Sequence, residues 1–247
     1  MGWDLHYHLD HQQPVYFLPY GESYGGIENP TTYIKRLGSL YVEEIMSVQQ
    51  TGPYLIGGYC FGGLLALEIA KQLKAKGEEV AMLALIETGG SVGFYRIYRR
   101  IVSYMEFHSG KCEQMKFPEK LTYFFELGKR NIYEIISKFP RNKNNQKPVQ
   151  SHIKSSHNQE NCKTILRSTV KNYILPTYSG KVVLFACQKS KFYSFLFPKM
   201  GWGNLLNGDI EIQFVPGNHR SLLKEPNVKM LAEKLIADID QVQETYE

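Results

Sequence analysis

Three residues of this chain have the types and the order of a nucleophilic acyl-transfer site. Cys60 stands at the centre of Gly58-Tyr59-Cys60-Phe61-Gly62, a G-x-C-x-G pentapeptide set between an apolar run and a helical pattern. The commoner form of this turn has Ser at its centre. It holds the nucleophile in a sharp strand-to-helix turn, which needs neighbours without a Cβ so that the chain can fold back. Glu87 ends the apolar run Val80 to Ile86, and His219 lies in Val215-Pro216-Gly217-Asn218-His219 after a later apolar run. Nucleophile, then acid, then His is the chain order that goes with such an elbow. A Cys so placed needs a base and an orienting carboxylate, and His219 and Glu87 supply both. A helix N-terminus and a protonated His partner both favour the thiolate of Cys60. The backbone N–H of Phe61, next after the nucleophile, is the expected oxyanion donor. An acyl-Cys intermediate is itself a thioester, so transfer to an amine or an internal nucleophile stands beside hydrolysis.

Each residue also has a plainer reading. Cys is often a small buried hydrophobe, Glu87 could be a solvated strand-end residue, and His219 a loop His. A carboxylate that ends a seven-residue apolar run is costly to bury without a partner, however, and His219 is a candidate for that partner. The order of the three residues, each after a successive strand, favours the triad. His6, His8 and His11 precede the first strand, lack a metal-ligand spacing and read as surface residues.

The elements that must position these residues follow the same pattern. Pro14 to Leu18 reads as a short buried strand ending in Pro19-Tyr20-Gly21. A helix capped by Thr31 or Thr32 runs to about Val48, with Ile34, Leu37, Leu40, Tyr41 and Ile45 on one face. Tyr54 to Gly58 is the next strand, and the helix after Cys60 stops at Gly77. Val80 to Ile86 is apolar throughout, as expected of a parallel strand covered on both faces. Residues 54–87 therefore read as strand, elbow, helix, strand. The sheet pattern resumes at Lys181 to Ala186 and Ile210 to Val215, and a closing helix runs from about Asn227 to Val242. Between about 91 and 171 the composition shifts to Tyr, Phe, Lys and Asn, with helical stretches near 95–108, 119–138 and 160–173. The whole is one α/β domain, residues 1–247, with a mostly parallel sheet flanked by helices and a helical insertion.

Composition bounds the function classes. The chain has 247 residues and a net charge of +5, enough length for one sizeable core. The charge is concentrated: from Phe139 to Lys171 there are seven Lys or Arg against one acid, Glu160. This stretch reads as a solvated loop or as a docking face for an acidic partner. No nucleic-acid recognition motif accompanies it. The four cysteines, Cys60, Cys112, Cys162 and Cys187, form neither a C-x-x-C pair nor a zinc cluster with His. They read as reduced thiols of a cytoplasmic protein. No apolar run is long enough for a membrane span, the N-terminus lacks the regions of a signal peptide, and no metal or resident cofactor is expected.

Gln13-Pro14-Val15-Tyr16, then Tyr41 to Gln49 leading into Gly52-Pro53-Tyr54-Leu55-Ile56-Gly57-Gly58-Tyr59-Cys60-Phe61-Gly62-Gly63, resemble the thioesterase domains of nonribosomal peptide and polyketide synthetases. These belong to the α/β-hydrolase superfamily. Gly201-Trp202 and Val215 to His219 resemble the C-terminal part of the same family. The resemblance spans about residues 12–240 and is weakest across 91–170, where the family carries a variable helical lid over the acyl pocket. It implies the triad Cys60, His219 and Glu87, with Cys in place of the usual Ser and Glu in place of the usual Asp. It implies an acyl or peptidyl thioester substrate held on the phosphopantetheine of a carrier protein, with the lid and its basic stretch meeting the carrier. The alternatives are a catalytically impaired domain that binds carrier or acyl groups without turnover, and, less favoured, a carboxylesterase or lipase of the same fold.

The resemblance also implies an earlier strand and a glycine-containing loop that supplies a second oxyanion N–H. Here Gln13 to Tyr16 matches the strand that follows it, so the chain is expected to be shortened or a fragment. Loss of one such donor costs on the order of 10²–10³ in rate. Pro19-Tyr20-Gly21 is a poor substitute, because too little chain separates it from Cys60.

Overall fold

A computed structural model of the chain describes residues 3–9, 14–18, 30–90, 173–188 and 198–246. The chain divides into two units, Met1–Tyr95 with His157–Glu247, and Arg96–Ser156. Every described residue belongs to the first. The expected lid at 91–171, its basic stretch and the Pro19-Tyr20-Gly21 turn lie outside the described residues.

The described elements in chain order are α1 (Trp3–His6), α2 (Pro30–Val48), β1 (Tyr54–Tyr59), α3 (Phe61–Ala75), β2 (Val80–Ile86), β3 (Val182–Cys187), β4 (Ile210–Val215) and α4 (Asn227–Gln243). The four strands form one parallel sheet in the order β1-β2-β3-β4. Strands β2 and β3 are buried at every position, which is why their sequences are apolar without alternation. Successive side chains still point to opposite faces. Leu83, Leu85, Val182 and Leu184 pack with Ile34 and Leu37 of α2 and Leu67 and Leu73 of α3. Met82, Ala84, Ile86, Val183 and Phe185 pack with Val228 and Leu231 of α4 and with Leu5 of α1. Each fully buried Leu, Ile or Phe contributes about 1.5–3 kcal/mol, so both helix layers are held to the sheet by apolar burial.

The strand register does the positioning. Tyr59 lies opposite Ile86, Ile86 opposite Phe185, and Cys187 opposite Val215. All four strands therefore end along one edge, and the residues that follow them, including Cys60, Glu87 and the loop that carries His219, emerge side by side.

Three boundaries differ from the sequence expectation. Helix α2 starts at Pro30, so Thr31 and Thr32 lie in its first turn instead of capping it. Proline suits that position, where its missing N–H is not needed and its φ is already helical. Pro14 to Leu18 is not a strand, and Tyr16 and Phe17 are exposed. A strand is stable only through its ladder, and Pro14 brings no N–H to one. Helix α1 was not anticipated. It is a single turn that buries Leu5 against the α4 side of the sheet, too short to leave a periodic signal.

Candidate active site

Cys60 occupies the turn between β1 and α3 with φ 55 and ψ −112. A residue with a Cβ in this region costs roughly 1–3 kcal/mol and persists only where its surroundings hold it. Here the Cys60 N–H donates to the Ile86 carbonyl at 2.9 Å. The Cys60 carbonyl accepts from the Gly63 N–H at 3.2 Å and from Thr88 Oγ1 at 3.2 Å. The elbow is thus fastened to the end of β2 on one side and to α3 on the other.

The glycine requirement is partly redistributed from the sequence reading. A Cβ on Gly58 would sit 2.1 Å from the Gly62 carbonyl oxygen, so Gly58 is needed for the fold-back. Nothing described lies within 4 Å of a Cβ on Gly62. The second steric demand falls one residue later, on Gly63, where a Cβ would meet Thr88 Oγ1 at 2.0 Å. Phe61 is the first residue of α3, among the helical N–H groups that have no partner within their own helix.

Glu87 follows β2 with φ 48, and its N–H donates to the Phe185 carbonyl at 2.7 Å. The turn directs a nearly buried carboxylate along the sheet edge. Oε1 accepts the backbone N–H of Cys187 at 2.6 Å. Oε2 lies 3.3 Å from Nδ1 of His219. A carboxylate only accepts, so Nδ1 carries the proton of this pair and Nε2 is left for chemistry. Burial of Glu87 is compensated by two donors, one at the end of β3 and one in the loop after β4.

His219 is presented by a turn built from its neighbours. Asn218 Oδ1 accepts the N–H groups of Arg220 at 2.9 Å and Ser221 at 3.1 Å, and the Asn218 N–H donates to Ser221 Oγ at 2.9 Å. Gly217 has φ +99, where a Cβ would also strike the side chains of Asn227 and Ser221. The Gly217-Asn218-His219 text is therefore conformational code for the loop as well as a carrier of the imidazole.

Three further contributors were missed at the sequence level. Tyr59, the residue before Cys60, stacks its ring on the His219 imidazole with centroids 5.0 Å apart and an interplanar angle of 24°. Its hydroxyl donates to the His219 carbonyl. Thr88 Oγ1 lies 3.2 Å from the Cys60 carbonyl and 3.1 Å from that of Ile86, and the Thr88 carbonyl accepts from Nε1 of the fully buried Trp202 at 3.1 Å. The Cys187 N–H is a backbone group with no sequence signal. Tyr59 was legible only as a neighbour of the elbow.

The structure thus brings Glu87 and His219 together and sets Tyr59, adjacent to Cys60, against His219. The Glu87 pairing holds the His219 imidazole in one tautomer at the sheet edge from which the Cys60 turn also emerges. His8 pairs with Glu225, six positions after His219, and His6 is exposed; His11 lies outside the described residues. Among the described residues no group of three or more His, Cys, Asp or Glu could hold a metal, and no helix is long and apolar enough to cross a membrane.

The family model of the thioesterase domain matches residues 4–91. The chain is 24% identical over 268 aligned positions to chondramide synthase of Chondromyces crocatus, covering 98% of this chain and 6% of that protein. It is 26% identical over 202 positions to a non-reducing polyketide synthase of Aspergillus terreus, covering 81% of this chain and 9% of that protein. The chain therefore spans less than a tenth of the length of these relatives. Its structure is similar to that of the NocB thioesterase domain in covalent complex with a fluorophosphonate nocardicin G analogue. The TM-score is 0.52 at 22% identity, over 86% of this chain and 75% of that one. The shared feature is the fold, a parallel sheet flanked by helices of the α/β-hydrolase type.

Proposed function

We propose that this chain is a thioesterase domain of the kind found in nonribosomal peptide and polyketide synthases, and that it releases or transfers an acyl or peptidyl chain held as a thioester on a carrier protein, through an acyl-Cys60 intermediate. Cys60 Sγ attacks the thioester carbonyl carbon. Nε2 of His219 takes the thiol proton and returns it to the departing pantetheine sulfur. Water, an amine or an internal nucleophile of the chain then attacks the acyl-Cys carbonyl, giving its proton to His219 and restoring the Cys60 thiol. Glu87 fixes the tautomer and stabilises the imidazolium, and the Phe61 N–H stabilises the oxyanion. The phosphopantetheine belongs to the partner carrier, and no resident cofactor enters the scheme. Two thiols outside any disulfide, Cys60 and Cys187, accord with a cytoplasmic setting.

The observation that supports this reading most is the pairing of Glu87 Oε2 with His219 Nδ1, at the edge where the Cys60 turn also emerges. A Cys backbone held at φ 55 and ψ −112 has no structural use that glycine would not serve better.

The test is incubation with an acyl-pantetheine thioester followed by intact mass. Wild type should gain one acyl group, Cys60→Ala none, and His219→Ala should acylate far more slowly. Absence of an adduct on wild type, where a known thioesterase is acylated, would leave the carrier- or acyl-binding domain without turnover as the surviving reading. Matched thioester and oxygen-ester substrates separate an esterase, which would turn over both at similar rates.

A further inference from the structure

We propose that Tyr59 is a positioning residue for His219, using its ring to hold the imidazole plane and its hydroxyl to hold the loop backbone. The proposal deepens the reading of His219 as the proton carrier and rests on it for its catalytic consequence, though not for its structural one.

The position follows from the strand. Tyr59 is the last residue of β1, and its partly buried side chain packs with the α4-side core. Its ring lies nearly parallel to the His219 imidazole at 5.0 Å, and its hydroxyl reaches the His219 backbone carbonyl. One side chain therefore contacts the histidine at both its ring and its main chain. Glu87 alone fixes only Nδ1, and the ring could still pivot about that bond. A stacked face from a second strand removes the pivot. Because Tyr59 immediately precedes Cys60, the element that sets the nucleophile also sets the base, and the two cannot drift independently. The middle residue of the Gly-Tyr-Cys text thus has a task of its own.

The charged state of the imidazole supplies the readout. An aromatic face within about 6 Å attracts a cation, so the Tyr59 ring favours protonated His219. Among the described residues, the titratable groups in contact with His219 are the Glu87 carboxylate from the end of β2 and the Tyr59 hydroxyl, with the Cys60 thiol next in sequence to Tyr59 and the exposed Arg220 next to His219. Of these, only Tyr59 is altered by the variants below.

The experiment titrates the His219 imidazole by NMR in the full chain, with the resonance assigned through its loss in His219→Gln. Tyr59→Phe keeps the ring and should titrate as wild type does. Tyr59→Leu removes the ring and should titrate lower by about half a pH unit. Tyr59→Met replaces it if the leucine variant does not fold. Superimposable titrations for wild type and the ring-deleted variant would overturn the proposal. Acylation kinetics give the second readout. In Tyr59→Phe the rate constant should fall several-fold at unchanged KM and unchanged pH dependence, since only the loop anchor is lost. In Tyr59→Leu the acid limb of the pH profile should also move down with the His219 titration. Wild type that titrates as expected yet forms no acyl adduct would sink the catalytic reading while leaving the Tyr59 to His219 coupling standing.

Discussion

Glu87→Gln is the substitution whose outcome the geometry dictates most tightly. Glutamine has nearly the shape of glutamate, but one of its two terminal atoms is a donor. In the wild type both carboxylate oxygens face donors: the Cys187 N–H at 2.6 Å and the His219 ring nitrogen Nδ1 at 3.3 Å. If the amide nitrogen faced Cys187, two N–H groups would oppose each other in a buried setting at 2.6 Å. The oxygen must therefore take Cys187, and the NH₂ group must face Nδ1. A donor there requires Nδ1 to accept, which puts the ring proton on Nε2, where a base needs a lone pair.

The expected result is a loss of acylation rate on the order of 10²–10⁴, with substrate binding little changed. Stability should stay near that of wild type, because the Cys187 N–H keeps its acceptor. Glu87→Ala separates the two roles. It leaves that buried N–H unsatisfied and should cost about 1–3 kcal/mol, read from urea midpoints. Stopped-flow acylation with an acyl-pantetheine thioester, run beside the urea titrations, measures both. A Glu87→Gln protein that acylates at the wild-type rate would refute the orienting role of Glu87, whatever its stability.

Cys60→Gly should be more stable than Cys60→Ala by roughly 1 kcal/mol or more, since glycine relieves the strain of φ 55 and ψ −112; equal urea midpoints would argue against that backbone conformation. Gly63→Ala should disorder the elbow, because its Cβ would sit 2.0 Å from Thr88 Oγ1, whereas Gly62→Ala, whose Cβ meets none of the described residues within 4 Å, should be tolerated, a contrast readable by thermal melts. Tyr178→Phe should be neutral or stabilising by up to about 1 kcal/mol: burial pushes the Tyr178 hydroxyl up to about 12, and among the described residues that hydroxyl has no hydrogen-bond partner. Burial holds the Asp238 carboxyl above its ordinary range, with Glu211 adding to this and the hydrogen bond from Gln213 opposing it. The folded state therefore favours the protonated acid, and this contribution is lost as pH rises through the raised pKa. Asp238→Asn, whose amide oxygen still accepts from Gln213, should gain on wild type in urea midpoints as pH rises from the ordinary carboxylate value of 3.8 through the raised one, and parallel curves would reject the assignment.

What the sequence made legible was whatever burial or backbone conformation writes into residue type. Val80 to Ile86 had to be apolar at every position because the strand is covered on both faces, and so its bounds were readable to the residue. Glu87 was conspicuous because a carboxylate at the end of such a run needs partners, and the structure supplies two. Pro14 to Leu18 misled because β-forming composition states only what a segment would do beside a partner strand; exposed Tyr16 and Phe17 lie on no ladder. The Cys187 N–H was invisible for the opposite reason, since any residue except proline would supply it. Tyr59 falls between these cases. Its aromatic ring was on the page, but its use depends on a strand register that brings Tyr59 opposite Ile86 and on a loop that returns 160 positions later to place His219 over it. A pair so distant in sequence becomes readable only when both ends are tied to strand termini on the same sheet edge. That edge is therefore where further site residues of this chain are best sought.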